Sequence, residues 1–341
     1  MFTIFVNMSR LYSFIVPVYN RPNEIDELLK SFISLKFDKP YEIVIVEDGS
    51  TLTCEHIIKA FNKFLNIAYY YKANSGPGDS RNYGMSKAKG NYYIILDSDC
   101  LLTENYLIEV EKSLNHLYVD FFGGPDTAHP SFSPLQKAIN FVMTSFITTG
   151  GIRGHKNALN KFQPRSFNMG ISKEAFLASK GFGTIHPGED PDLTLRLWNL
   201  GYNSKLIDKA SVFHKRRISW QKFYQQVYKF GSVRPILNFW HPDSKKLTYR
   251  LPTTYVILVI IALVTLGTQF KWLAVLLLTY NALVFALALV TMRNVLIALQ
   301  VIVALQIQFF AYGIGFLKST IILSLNKKSP KALFPHLFFK K

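Results

Sequence analysis

Asp97 and Asp99, spaced i, i+2 in the stretch NYYIILDSDCLL (Asn91 to Leu102), are the residues of this chain whose spacing most directly suggests chemistry. The five residues before them, Tyr92 to Leu96, are all strand formers without polar alternation. Such a run reads as a strand buried on both faces, most naturally in a parallel sheet. In open α/β sheets, ligands bind beyond the carboxyl ends of the strands. Side chains at i and i+2 of an extended chain point the same way. The two carboxylates are therefore expected to face one hard divalent cation, Mn²⁺ or Mg²⁺, which can bridge to a diphosphate. A solvated Asp-Ser-Asp turn would look the same in isolation, so the neighbouring elements decide.

Those elements repeat one pattern. Leu11 to Tyr19 reads as a first strand, closed by Asn20-Arg21-Pro22, with Asn23 as cap of a helix whose apolar face is Ile25, Leu28, Leu29, Phe32 and Ile33. Tyr41 to Val46 reads as a second strand, ending in Glu47-Asp48-Gly49-Ser50. A helix over about 53–64 and a short strand at 67–71 follow. The turn-rich loop Ala73 to Gly78 then opens a helix carrying Arg81 and Asn82. Strand and helix alternating at this spacing predict an α/β domain with a parallel sheet and crossover helices. Every acidic or glycine cluster falls just after a strand, on one rim of the sheet, which a purely structural protein has no reason to arrange.

Composition divides the 341 residues into two solvents. From Leu251 to Leu325 there is no acidic residue, and only Lys271, Arg293 and Lys318 are charged. That is a membrane composition. A net charge of +17 could indicate nucleic acid, but no zinc-ligand spacing or single-strand-binding motif accompanies it. Cations flanking the apolar region, Lys245, Lys246, Arg250, Lys327, Lys328 and Lys331 among them, fit anionic lipid headgroups and a phosphorylated substrate better. Nucleic acid is therefore not an expected partner. Cys54 and Cys100, with no metal-binding spacing, read as reduced thiols of a cytosol-facing domain. The N-terminal MFTIFVNMSR lacks the basic and apolar runs of a signal peptide, and Met8 is an alternative start.

VPVYN at Val16 to Asn20, VEDGS at Val46 to Ser50, GPGDSRN at Gly76 to Asn82 and LDSD at Leu96 to Asp99 resemble, in order and spacing, the family 2 glycosyltransferases of the GT-A fold. Gly188-Glu189-Asp190, ahead of a helix over 192–200, is similar to that family's acidic catalytic motif. The resemblance runs from about Leu11 to Arg217. One departure is Glu47, where the family more often has Asp.

The resemblance implies a nucleotide diphosphate sugar as donor. Pro17, Tyr19 and Asn20 would border the base, Glu47 and Asp48 would hold uracil or ribose, and Arg81 would lie near base or phosphates. Asp97 and Asp99 would face ribose and metal. Asn168, in Asn168-Met169-Gly170, stands where the family lines its acceptor pocket. A histidine comparable to His214 completes the metal site in some GT-A enzymes, and Arg216 and Arg217 beside it would grip the diphosphate. Asp190 would be the general base that takes the proton from an acceptor hydroxyl, assisted by Glu189, in a transfer with inversion. Without the upstream motifs, Glu189, Asp190 and Asp192 would read simply as a helix first turn favoured by the macrodipole.

Between the motifs, 148–166 is a glycine- and cation-bearing stretch without periodicity, a candidate flap. Trp220, Phe223, Tyr224, Val227 and Tyr228 recur at helical spacing opposite Lys222, Gln225, Gln226 and Lys229, which predicts an interfacial amphipathic helix. No QxxRW motif of the processive synthases is present, which points to addition of single sugars. Apolar segments at about 252–268, 272–292 and 295–317 predict three spans, with 325 as the alternative end of the last. An odd number would put the Lys-rich tail opposite the catalytic domain, against the positive-inside tendency, unless one segment is re-entrant or interfacial.

The domain plan is thus 1–217 catalytic, 218–250 interfacial, 251–325 transmembrane and 326–341 a basic tail. The reading is a membrane-anchored, metal-dependent, inverting glycosyltransferase with its domain in the cytosol and an acceptor that is a glycan or lipid-linked, in cell-surface polysaccharide synthesis. Its rivals are a polyprenyl-phosphate glycosyltransferase, which has less need of a base because its acceptor is already ionised, and a non-catalytic membrane scaffold. A sugar nucleotidyltransferase lacks its glycine loop here, and a transporter would need an intramembrane acid.

Overall fold

A computed structural model describes residues 10–127, 132–150, 162–214 and 219–339. The chain opens with β1 (Tyr12–Val18), α1 (Pro22–Ile33), β2 (Tyr41–Asp48), α2 (Glu55–Phe61), β3 (Ile67–Lys72), α3 (Pro77–Lys87) and β4 (Tyr92–Leu96). The first helix starts two residues earlier than an Asn23 cap predicts, with Arg21 in the cap position. Pro22 occupies its first turn, where a missing N–H costs nothing and the fixed φ suits a helix. Next come β5 (Cys100–Leu102), α4 (Tyr106–His116), β6 (Phe121–Gly123), β7 (Asp126–Thr127), α5 (Pro134–Thr144) and α6 (Phe146–Thr149). The catalytic half continues with β8 (Asn168–Ser172), α7 (Lys173–Ser179), α8 (Glu189–Asn199), β9 (Ser204–Leu206) and β10 (Val212–His214).

The main sheet runs β3-β2-β1-β4-β8-β6-β9, with β5-β10-β7 as a small second sheet. β1 to β4 are parallel, as the uninterrupted apolar runs predict, but β8 lies antiparallel between β4 and β6. The sheet is therefore mixed. Both faces are covered, because successive residues of one strand serve opposite cores. Phe14 packs with Phe32, Tyr106 and Leu107, while Ile15 packs with Met85, Tyr93 and Leu193. This is why the strands are apolar at every position rather than at every second one.

The C-terminal part is helical: α9 (Trp220–Trp240), α10 (Leu251–Val264), α11 (Trp272–Met292), α12 (Val295–Leu325) and the short α13 (Pro330–Leu333). Three stretches, Leu247–Val264, Trp272–Met292 and Val295–Leu325, are long and apolar enough to cross a membrane. Tyr255, Asn281 and Gln306 tie α10, α11 and α12 together. The Tyr255 hydroxyl donates to Gln306 Oε1 (3.0 Å), Asn281 Nδ2 to Tyr255 (3.2 Å) and Gln306 Nε2 to Asn281 Oδ1 (2.6 Å). In apolar surroundings such side-chain bonds fix the register of helices that otherwise slide.

α9 turns its apolar face, Phe223 and Val227, to Ala304 and Ala311 of α12, and α5 adds Ile139 and Val142 to the same cluster. α12 is thus a partner of the catalytic side as well as an apolar helix. Beyond it the tail returns. His186 N donates to Leu337 O (2.8 Å), Phe339 N to Thr184 O (3.0 Å), and Ile185 pairs with Phe338 as an antiparallel bridge. Three complete crossings would carry the tail away from the catalytic domain. In the structure the tail instead packs on the domain: Lys327, Lys328 and Lys331 lie between α12 and a segment bonded to the 184–186 loop.

The α9–α12 contact depends on two glycines. A Cβ at Gly231 would sit 2.2 Å from Tyr312 O, and one at Gly315 would sit 2.5 Å from Tyr228 O, both backbone atoms that cannot step aside. We predict that Gly231→Val pushes the helices apart and costs about 3 kcal/mol, at the upper end for overpacking, despite a better helix former. Thermal unfolding in detergent checks this, and Gly267→Ala, which meets nothing within 4 Å, is the neutral control.

Candidate functional site

The site assembles where β4, α3 and α8 converge. β4 stops at Leu96 and the chain turns, with Cys100 N donating to Asp97 O (3.1 Å). The i, i+2 argument presumed extended backbone, and this turn sends the two aspartates to different partners. Asp97 Oδ1 accepts from Arg81 Nη2 (2.7 Å). Asp99 Oδ2 accepts from Arg21 Nη1 (3.0 Å), and its Oδ1 lies 3.3 Å from His214 Nε2. Asp97 thus pairs with Arg81, while Asp99 and His214 face each other.

Asp99, Cys100 and His214 each offer a donor atom within 4.8 Å of the others. Burial, with Asp99, Asp97 and Asp126 nearby, holds the Cys100 thiol well above its ordinary range, so it stays protonated and is a poor ligand. A carboxylate oxygen and an imidazole nitrogen remain, a donor pair that suits Mn²⁺ or Mg²⁺ completed by phosphate oxygens. Asp126 Oδ2, 3.8 Å from His214 Nδ1, helps to orient the ring.

Arg81 is carried by α3, which Gly84 lets lie directly on Ile15 and Val46 of the sheet. Its guanidinium bridges Asp97 and Glu189, with Nη1 donating to Glu189 Oε1 at 3.1 Å, and Phe182 covers it at 5.3 Å. Burial opposes its charge, but Asp97, Glu189 and Asp190 more than offset that. Glu189 also faces His186 Nδ1 at 3.0 Å. Burial pushes the Glu189 carboxyl up, yet His186 and Arg81 bring it to about 2. Asp190 moves the other way. Burial and the neighbouring Glu189 charge raise it above the ordinary aspartate range, against the pull of Arg81, Arg165 and Ser166. Its Oδ1 is buried and makes no hydrogen bond among the described residues. Two adjacent carboxyls with divergent acidities, one with an uncommitted oxygen, is how acid and base roles are usually separated.

Gly188 makes this possible at the N-terminus of α8. Its φ is +115°, and a Cβ there would strike Val233 of α9 at 2.4 Å. Asp192 then locks α8 to its surroundings, accepting from Arg196 Nε (3.0 Å) and pairing with His241 Nε2 (2.9 Å) at the end of α9.

The remaining predicted residues fall in three groups. Asn20 accepts from Thr51 N and Leu52 N, Tyr19 is exposed and Pro17 half-buried beside them. Asp48 organises the loop ahead of α3, accepting from Lys72 Nζ (2.7 Å), Ser75 N (3.0 Å) and Gly76 N (2.9 Å). Glu47 and Asn168 are fully buried in this structure. Glu47 accepts from Cys54 N and Tyr69, because the end of β2 faces the start of α2. Asn168 is bonded to Tyr106 and Ala210, joining β8 to α4 and the β10 approach. Arg216 and Arg217 lie outside the described residues, as does most of the 148–166 stretch.

Sequence reasoning missed Arg21, Arg165, His186 and Arg234. Arg21 adjoins the VPVYN motif and Arg165 sits in a stretch marked as cationic, but nothing local announces a partner 78 residues away, as Arg21 finds in Asp99. A cavity of about 960 Å³ runs from Arg81, Asp97, Glu189 and Asp190 to Tyr255, Leu258, Leu276 and Phe309 on the apolar helices.

Residues 13–176 match the family described as glycosyl transferase family 2. Curated relatives include an uncharacterized glycosyltransferase of Rickettsia bellii, 38% identical over 28% of this chain and 14% of its own length. Glycosyltransferase GlyA of Streptococcus pneumoniae is 35% identical over 32% of this chain and 16% of its own. Poly(ribitol-phosphate) beta-N-acetylglucosaminyltransferase TarS of Staphylococcus aureus is 32% identical over 32% of this chain and 20% of its own. The matched stretch thus spans less than a third of each of these relatives. Among solved structures, mannosyltransferase PcManGT from Pyrobaculum calidifontis, in complex with GDP-Man and Mn²⁺, superposes with a TM-score of 0.58 at 14% identity, covering 92% of this chain and 88% of that one. The fold is that of the GT-A enzymes, and residues 13–176, just under half of the chain, match glycosyl transferase family 2.

Proposed function

We propose that the protein transfers one sugar, with inversion, from a nucleotide diphosphate sugar to a hydroxyl of a lipid-linked acceptor, with Asp190 as general base and the catalytic domain in the cytosol. The observation that carries this reading is the cavity: one end holds the Arg81–Glu189–Asp190 cluster, and the other opens between apolar helices. Asp190 Oδ1 takes the proton as the acceptor oxygen bonds to the anomeric carbon and the bond to the nucleoside diphosphate breaks. Glu189, kept ionised by His186 and Arg81, maintains the field that makes Asp190 the more basic of the two. A divalent cation held by Asp99 and His214 would supply charge stabilisation for the departing diphosphate. The TarS relative, named as a poly(ribitol-phosphate) beta-N-acetylglucosaminyltransferase, supports a polymeric glycan product, and we read that as cell-surface polysaccharide synthesis.

Detergent-purified protein is expected to gain thermal stability from one member of a panel of nucleotide diphosphates and nucleotide sugars only when Mn²⁺ is present. Asp99→Ala should abolish that gain. No shift with any member would favour a scaffold role instead.

Asp190→Asn should lower kcat by about 10² to 10⁴, the usual contribution of a positioned base, with the donor-induced shift retained. The base acts as carboxylate, and its pKa lies above the ordinary value of about 3.9, so turnover should fall as pH drops through that raised value. The acid limb of kcat against pH should accordingly sit above pH ~4 and disappear in the residual activity of Asp190→Asn. Unchanged turnover in that variant would favour transfer to a polyprenyl phosphate, whose acceptor oxygen needs no base.

A further inference from the structure

We infer that Arg165 and Arg234 form a binding site for the phosphate of a phosphate- or diphosphate-linked lipid, so that the acceptor is held by its anionic linkage between the base and the membrane. The inference rests on the transfer reading above and specifies the acceptor's chemistry.

Arg165 Nε and Arg234 Nη1 are buried and find no hydrogen-bond partner among the described residues. Arg234 lies over the Tyr249 ring at 4.2 Å and is hydrogen-bonded to Tyr312. Burial pushes Arg165 down; Asp190 and Asp126 draw it up, and Arg234 repels it. Two guanidinium groups close enough to repel, each with a shielded donor unmet, are costly unless an anion joins them. Phosphate is the anion whose oxygens match the planar fork of arginine.

Position supplies the rest. Both arginines line the cavity that contains Asp190, and beyond Tyr249 and Tyr312 its wall turns apolar at Leu258, Leu276 and Phe309. A charge-paired head followed by an apolar passage describes an amphiphile. The donor's diphosphate is the other candidate, because His214 lines the same cavity and Asp126 acts on both His214 and Arg165. Arg234 and its two tyrosines, however, belong to the helical region, where the cavity wall turns apolar, and the donor arm of the test separates the two.

The test measures binding to the full-length protein in detergent by thermal shift and equilibrium titration. The probes are a long-chain polyprenyl phosphate, the corresponding polyprenyl alcohol, and the donor nucleotide with Mn²⁺. The phosphate should bind and the alcohol should not. Arg165→Gln and Arg234→Gln should each weaken the phosphate by about tenfold to a hundredfold, the range for a lost charge-assisted hydrogen bond, and leave donor binding intact. Without ligand, Arg165→Gln should melt no lower than the unaltered protein, since removing one of two repelling charges relieves the empty fold. Equal binding of alcohol and phosphate, weakened donor binding with phosphate binding unaffected, or a large drop in melting temperature for Arg165→Gln would overturn the assignment. Absence of donor binding in the unaltered protein would instead overturn the transfer reading itself.

Discussion

The buried Arg81 guanidinium is the constraint on which the site depends. It joins three elements: its own helix α3, the end of the following strand β4 through Asp97, and the start of α8, 108 residues away, through Glu189. Removing such a charge from water is expensive, and leaving it without partners would be more so, so the elements close together only with both carboxylates in place. The same ion pair sets the chemistry. Glu189 is held ionised, and its fixed negative charge beside Asp190 raises the pKa of that second carboxyl. One interaction thus supports the fold and separates the roles of two adjacent acids.

Around this cluster the helical region acts as a wall rather than a separate anchor. The α9–α12 contact is close because glycines let backbones meet, Asp192 bonds to His241 at the end of α9, and the returning tail pairs with 184–186 just ahead of Asp190. Apolar helices and catalytic loop are therefore mechanically continuous. A cavity that spans both is a consequence of that packing. It explains how one molecule could expose a lipid's head to a polar reaction centre while its tail stays in an apolar solvent.

Much of the catalytic half was legible because its signals are local. Continuous apolar runs mark strands covered on both faces, and the loops after them carry acids and glycines at one rim. The contacts that the sequence does not show are those whose partners are remote. Asp97 and Asp99 stand two residues apart, yet one pairs with Arg81 and the other faces His214. Glu47 and Asn168 stand at strand ends, where Cys54, Tyr69, Tyr106 and Ala210 bond to them. The apolar helices count correctly by length, but length is silent on whether α12 leaves the domain or lies against it.

The sequence by itself determined the alternation of strand and helix, the rim on which polar clusters gather, the family resemblance and the apolar character of the C-terminal helices. Each follows from short-range periodicity or composition. Tertiary structure alone decided that Arg81 bridges Asp97 and Glu189, that Asp99 meets His214, that Arg165 approaches Arg234, and that the tail returns to the catalytic loop. These depend on closing chain segments tens to more than a hundred residues long, and the free energy of such contacts comes from burial and charge pairing that no local window of sequence contains.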